Sequence, residues 1–490
     1  MKKNVSLKKN IILSTLYQIL TLIIPFFTAP YISRVIGANG VGIYSYTLSI
    51  QTYFSMFAAL GTITYGAREI ARNREDEYKR SKLFWEIEIL TIITTAICLI
   101  AWIILIGFSG VYKIYYTILT MNLFNTMFDI SWFYSGLEQF KYTVTQNAIF
   151  KILGVILLFI FVKNPGDLVL YITIMSLTTL LGTMSMWIYL PKFLKKVKIQ
   201  ELKIVHHFKE TLVYFIPTVA TSIYTVLDKT LIGVITGDQK QNGFYEQATK
   251  IINMTKALTF TSLNTVLGAR ISYLFVEEKM DEIHKRIDAS INYIFLMGFG
   301  IMFGLIGVAK RFVPAFFGSG YTDVIGLIKI LSPLVVIIGV SNCLGAQYYN
   351  PAGLRSKSAK FIIVGSCINL ILNLCLIPKF GSYGASVATI VAELVISILY
   401  LKYCNGFLTL KKIFKFALKK VIAGLIMFII VCLLSKLTIF RNSIVIMIQV
   451  VFGILTYGIG LIVLKDEFTI SFLENQVLNR FRKKEKKWEN

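Results

Sequence analysis

Histidine is nearly absent from this chain, acids are outnumbered by bases, and no polar segment is long enough to fold as a domain of its own. The three histidines, His206, His207 and His284, fall in segments that read as polar loops, too few and too scattered to hold a zinc ion. The six cysteines (Cys98, Cys343, Cys367, Cys375, Cys404 and Cys432) all lie in apolar runs without C-x-x-C spacing, so they indicate neither a redox couple nor a metal site. No G-x-x-x-x-G-K-S/T loop occurs, which excludes that route to nucleotide hydrolysis. A polytopic glycosyltransferase or polymerase would need paired carboxylates or arginines in a sizeable outer loop. The loops here are too short, so no catalytic residue, cofactor or enzymatic activity is expected. Charged residues make up only 16% of the chain and hydrophobic ones 56%. A soluble protein cannot hide that much apolar surface.

What is present is apolar runs of about 20 residues, the length that crosses roughly 30 Å of hydrocarbon as helix. About fourteen are counted, at 11–33, 41–63, 83–107, 113–135, 144–162, 168–190, 211–235, 243–265, 289–311, 324–348, 360–377, 384–404, 415–435 and 443–464. The first is too long for a signal-peptide core and lacks a small-residue cleavage site, so it reads as retained. The net charge of +25 does not point to nucleic acid, because the basic residues sit in short clusters between the runs. About 37 Lys and Arg fall on the amino-terminal side of the spans and about 9 on the other. An even span count then places both termini in the cytoplasm. The densest cluster, Arg480 to Lys487, reads as a cytoplasmic retention charge, with binding of RNA or anionic lipid as the second reading.

Two stretches of the chain repeat. Gly42-Ile-Tyr44 through Ile50 matches Gly243-Phe-Tyr245 through Ile251 in frame, and Gly66-Ala67-Arg68 matches Gly268-Ala269-Arg270 downstream. Tyr134-Ser-Gly136-Leu137 has a weaker counterpart in Tyr349 to Leu354. The unit is therefore about six spans, an even number, so the halves are parallel copies related by an axis along the membrane normal. The expected organisation is a six-helix lobe at 1–200, a second at 201–410, two appended spans within 411–466, and a basic tail at 467–490.

Ionisable groups inside spans are costly and usually face a cavity or a partner. Asp228 and Lys229 lie in the seventh span, about 10 Å from its outer end. In the eighth, Glu246, Lys250, Asn253, Lys256 and Asn264 fall within an arc of about 120°. The fourth carries Asn122, Asn125 and Asp129 at i, i+3 and i+7, the fifth Lys151, and the twelfth Glu393. Glu246 and Lys250 at i, i+4 also admit a plain intrahelical ion pair. A cationic lining suits a phosphate or pyrophosphate, with nearby acids holding the lysines charged.

The stretch Arg34-Val-Ile-Gly-Ala-Asn-Gly-Val-Gly-Ile-Tyr-Ser-Tyr46 resembles the first outer turn of Wzx-type polysaccharide repeat-unit flippases. So do Gly136-Leu-Glu138-Gln-Phe140-Lys141, Leu227-Asp228-Lys229-Thr-Leu-Ile-Gly233, Gly243 to Ile251, and Pro378-Lys-Phe-Gly381-Ser-Tyr-Gly384. That family belongs to the multidrug/oligosaccharidyl-lipid/polysaccharide exporter superfamily, and the resemblance covers essentially the whole chain. It implies an all-α integral membrane protein whose two lobes form a V-shaped bundle, resident in the bacterial cytoplasmic (inner) membrane. It implies alternating-access export of undecaprenyl-pyrophosphate-linked glycans for O-antigen, capsule or exopolysaccharide synthesis. A lipid II flippase and an ion-coupled multidrug exporter of the same superfamily are the alternatives. Carried over by motif, Arg34, Asp228, Lys229, Glu246 and Lys250 line or gate the cavity. The polar-stripe reading adds Asn253, Lys256, Lys151, Asp129 and Glu393, with the acids as coupling or charge-pairing groups for Na+ or H+. Expected partners are the lipid-linked glycan, membrane lipid, a polysaccharide polymerase and other assembly proteins, with the chain itself a monomer. Single cysteines at 39 and 238, in an otherwise cysteine-free chain, should both label with an impermeant maleimide in intact cells. Labelling of one alone would contradict parallel repeats.

Overall fold

The computed structural model describes residues 7–437 and 441–474, with side chains except at 7–12, 14, 216–218, 220–225, 261–262, 264–266 and 268–269. The basic tail and the side chain of Asn264 thus lie outside the described residues. Every regular element among those described is helical, as hydrocarbon requires of a chain that must satisfy its own backbone. Nine helices among them are long and apolar enough to cross a membrane by length and composition. Two of the nine are each two helices joined at a glycine. At Gly37 the backbone takes φ 74° and ψ 174°, and at Gly381, three residues after Pro378, φ 53° and ψ −131°. Both conformations belong to glycine, since a Cβ would clash there. One face of the third span presents Ile93, Ile97, Ile100, Ile103 and Ile104, each 45–64% exposed. That stripe suits lipid rather than water.

Packing divides the chain into two compact units, 1–243 and 244–490; the repeat, by a different criterion, divides it near 200. Unit 1 holds α1 (Leu7–Ala59), α2 (Thr62–Arg72), α3 (Glu77–Phe108), α4 (Lys113–Phe128), α5 (Ser131–Gly136), α6 (Phe140–Phe161), α7 (Leu168–Met186) and α8 (Ile204–Thr236). Asp76 starts α3 by accepting from the Tyr78 and Lys79 amides at 3.1 and 3.0 Å, a side-chain N-cap. The fourth span is not the continuous helix expected over 113–135. It breaks at Asp129 (φ −76°, ψ 94°), whose carboxylate accepts the Ser131 amide at 2.9 Å. Asp129 therefore leaves the helical face it was expected to share with Asn122 and Asn125. Trp187 Nε1 donates to the Phe128 carbonyl freed by the break, at 2.8 Å.

The histidines also depart from expectation. His206 and His207 lie in α8, and His284 lies in α11 (Met280–Phe317) of unit 2. His207 is buried, its Nε2 3.0 Å from Glu86 Oε2 and its Nδ1 2.6 Å from the Tyr65 hydroxyl. The Lys203 amide donates to the other Glu86 oxygen at 2.6 Å. A polar segment in sequence thus becomes a pinned helix start, because α2 and α3 supply its partners.

Unit 2 holds most of α9 (Gln239–Lys256), a π-helical turn (Ala257–Thr261), α10 (Ser262–Val276), α11, α12 (Thr322–Leu331), α13 (Leu334–Leu344), a second π turn (Gly345–Tyr349), α14 (Arg355–Lys402), α15 (Leu410–Leu434), α16 (Asn442–Val463) and α17 (Glu467–Leu473). The carboxy-terminal helices pack on α11 through small residues. A Cβ on Gly424 would meet Phe303 at 2.4 Å, and one on Gly300 would meet Tyr457 at 2.9 Å. A buried ammonium, Lys420 Nζ, joins three elements by donating to Asp466 and Asn292 at 3.0 and 3.1 Å and to its own helix at Phe416 O.

The repeated glycines have a packing reason. A Cβ on Gly42 would lie 1.6 Å from the Gln239 carbonyl oxygen, and one on Gly243 would lie 2.0 Å from the Ala38 carbonyl oxygen. The two copies of the motif therefore cross backbone to backbone at their matched glycine. Gly66 and Gly136 behave likewise, the first against the Trp132 ring and the second against the Ala67 carbonyl. Gly42→Ala should overpack the crossing by about 2–3 kcal/mol and lower the unfolding temperature in detergent by roughly 2–5 °C. Gly107→Ala, where a Cβ meets nothing within 4 Å, should leave it unchanged.

Candidate functional site

In unit 1, α1, α6 and α7 enclose a cavity of about 240 Å³ lined by Tyr17, Thr28, Asn147, Lys151 and Thr178 among others. Lys151 is the twelfth residue of the 22-residue α6, so its backbone lies about 16 Å from either helix end. Gly154 opens the space one turn on, because a Cβ there would meet Thr178 Oγ1 at 2.8 Å. The Lys151 ammonium is half-buried and has no hydrogen-bond or ion-pair partner among the described residues. A cation at mid-span costs about 3 kcal/mol, and here no protein carboxylate offsets it. The cavity's other polar groups are hydroxyls and an amide, which suit an anion that Lys151 would hold.

Elsewhere in unit 1 the structure reveals a residue that sequence reading passed over. Glu88 of α3 is fully buried, and both carboxyl oxygens lack a hydrogen-bond partner. Among the described residues Asp129 is the charged group that acts on it electrostatically. On the same helical face Thr91 bonds back to Ile87 O and across to Thr62, while Thr95 Oγ1 is buried without a partner. A buried carboxyl without a hydrogen-bond partner, with a second acid within electrostatic reach, has the chemistry to take up a proton or small cation. The available signal was a second glutamate two positions after Glu86, inside an apolar run.

In unit 2 the eighth-span stripe is realised in part. Lys250 Nζ lies 3.2 Å from Glu246 Oε1, the intrahelical pair that the spacing allowed. Lys256 Nζ donates to Asn253 Oδ1 at 3.3 Å and lies within electrostatic reach of buried Glu393 on α14. Tyr245 meets Thr389, one turn before Glu393, at 3.2 Å. The helical register then ends, because Ala257–Thr261 is a π turn. Wider winding there removes Asn264 from any 100°-per-residue arc. π turns interrupt helices mostly where function requires it.

The remaining expected residues stand in unit 1. Arg34 is exposed near the Gly37 turn. Asp228 is buried on α8 within electrostatic reach of Tyr53, while the Lys229 carbonyl accepts from Asn242 Nδ2 at 2.7 Å.

Residues 7–275 match the family described as "Polysaccharide biosynthesis protein". A "Putative O-antigen transporter" of Escherichia coli (strain K12) is 23% identical over 406 residues, covering 82% of this chain and 97% of that protein. A "Probable low-salt glycan biosynthesis flippase Agl15" of Haloferax volcanii is 28% identical over 194 residues, 38% of this chain and 39% of its own length. In fold the chain is similar to the solved "Lipid II flippase MurJ, inward closed conformation", with a TM-score of 0.72 at 17% identity over 93% of this chain and 99% of the other. A solved structure described as the "Inward-facing conformation of a multidrug resistance MATE family transporter of the MOP superfamily" gives a TM-score of 0.58 at 12% identity over 81% of this chain and 98% of the other.

If the Glu246 pairing is what holds Lys250 in place, Lys250→Ala should lower the unfolding temperature. The exchange Glu246→Lys with Lys250→Glu should return it to within about 2 °C, since an i, i+4 pair of partly exposed groups contributes under about 1 kcal/mol. An exchange as unstable as the single variant would show that the pair does not hold Lys250.

Proposed function

The chain belongs to the polysaccharide biosynthesis protein family, and from that premise we propose that it is a Wzx-type flippase. It moves undecaprenyl-pyrophosphate-linked oligosaccharide repeat units from the cytoplasmic to the outer leaflet of a bacterial inner membrane. It does so by alternating access through fourteen spans, and its product feeds O-antigen, capsule or exopolysaccharide synthesis. The observation that carries this reading is Lys151: an unpaired mid-span ammonium in a cavity of neutral polar groups. A drug exporter for cations would be ill served by it, whereas a pyrophosphate in low dielectric gains most from such a charge. Lys250 and Lys256, with Asn253 beside them, serve the anion in unit 2, while Arg34 and Lys229 gate its passage. The names of the bacterial and archaeal relatives, an O-antigen transporter and a glycan biosynthesis flippase, support the glycan as cargo.

Transport without a nucleotide needs another source of energy. Glu88 with Asp129 takes up the coupling ion, Na+ or H+, in unit 1, where the Glu88 carboxyl has no donor of its own and Asp129 has the Ser131 amide. Asp228 and Glu393 act as charge partners. A polymerase and other assembly proteins receive the flipped glycan from a monomeric flippase.

In a strain lacking its own repeat-unit flippase and supplied with matching glycan, this protein should restore surface glycan. Lys151→Ala, at unchanged protein level, should cut display by about tenfold or more, and Lys151→Arg should keep part of it. Glu88→Gln should fold normally yet flatten the dependence of display on the ion gradient. Full display with Lys151→Ala would remove the cavity from the mechanism. Growth rescue of a strain depleted of its lipid II flippase would reassign the cargo to peptidoglycan precursor.

A further inference from the structure

The two ends of α14 come together on the lysine-rich side of unit 2. Lys357 stands in its first turn and Tyr403 caps its last, and the Lys357 ammonium lies 4.9 Å from the centre of the Tyr403 ring. Lys402 Nζ lies over the same ring at 5.6 Å. The ring is itself held by stacking on Phe361, with centroids 5.5 Å apart and planes at 18°. Beside it opens a cleft of about 680 Å³ lined by Lys357, Lys360, Phe361, Val364, Leu399 and Tyr403. A second cleft of about 440 Å³ is lined by the neighbouring residues of α14, Ile398, Leu401 and Lys402, among others. No carboxylate lines either cleft. None of Lys357, Lys360 and Lys402 has a hydrogen bond or ion pair among the described residues.

Two ammoniums on one ring repel each other, and the ring's quadrupole offsets that only in part. An anion between them removes the repulsion. The free amides of the first turn of α14 and the hydroxyl of Ser356, which lines the first cleft, add donors of the right sign. Apolar walls continue from both clefts toward the span, with Val364 on one side and Ile398 on the other, 43% and 57% exposed. A charged head above two apolar grooves is the shape of a two-chain lipid. We infer that Lys357, Lys360 and Lys402, arranged about the Tyr403 ring, bind the phosphate of an anionic phospholipid whose acyl chains lie along the clefts at Val364 and Ile398. Phospholipid surrounds this surface in any membrane, so the site is filled by mass action without delivery of a ligand. It fastens the ends of α14 together at the membrane surface.

The test uses the full-length purified chain in detergent, with native mass spectrometry counting bound phosphatidylglycerol against phosphatidylcholine of the same chain length. The wild-type protein should retain one phosphatidylglycerol in preference to phosphatidylcholine. The triple variant Lys357→Gln, Lys360→Gln, Lys402→Gln should lose about fivefold in that preference for each lysine removed. The matching Lys→Arg triple should keep it. Removing the same charge from exposed lysines elsewhere on the basic side (Lys196→Gln, Lys198→Gln, Lys209→Gln) should change it little. Equal loss in both Gln triples would mean a diffuse surface charge and overturn the site. So would undecaprenyl diphosphate displacing the bound phosphatidylglycerol at equimolar amounts, which would make the clefts a station for diphosphate lipid. Neither result bears on the role proposed for Lys151.

Discussion

Hydrocarbon offers no hydrogen bonds, and the rest of this molecule follows from that. A backbone that cannot turn to water must satisfy itself, so the described chain is helix wherever it is regular. At several helix ends a side chain answers the exposed carbonyl. Tyr31 donates to Val162 O, Trp187 to Phe128 O, and Arg311 to the carbonyls of Ser435 and Leu437. These donors come from distant parts of the sequence, so each of these ends depends on a residue that the fold brings to it.

The same solvent removes the usual reason for helices to associate. Burying leucine against leucine gains little when lipid is just as apolar, so contact depends on close fit. That is why glycine stands at the crossings (Gly42 on Gln239, Gly66 on Trp132, Gly424 on Phe303) and why many large aliphatic side chains face outward. Aromatic rings fill the basic end of unit 1, with Phe84, Trp132, Phe133 and Tyr134 buried together.

Charges divide by whether the fold answers them. Lys420 is buried and fully engaged by Asp466, Asn292 and its own helix, an arrangement that holds α11, α15 and the segment before α17 together. Glu88, fully buried, and Lys151, half-buried in its cavity, are left unanswered by hydrogen bonds. Such groups cost free energy without contributing to the fold, which is what sets them apart from Lys420.

Periodicity and length alone determined that the chain is a bundle of membrane-crossing helices, because a run of apolar residues has one stable outcome in lipid. Local spacing was equally legible, and Glu246 and Lys250 at i, i+4 pair as one turn of helix dictates. Tertiary structure decided the rest. The sequence carries no mark that Asp129 leaves its helix to face Glu88, that His207 is clasped by Glu86 and Tyr65, or that a π turn ends the eighth-span stripe at Lys256. Each depends on a partner contributed by another helix or on a local change of winding. Side-chain spacing along one helix follows from its geometry, whereas which helices become neighbours follows from close packing across the whole unit, and no single stretch of residues encodes that.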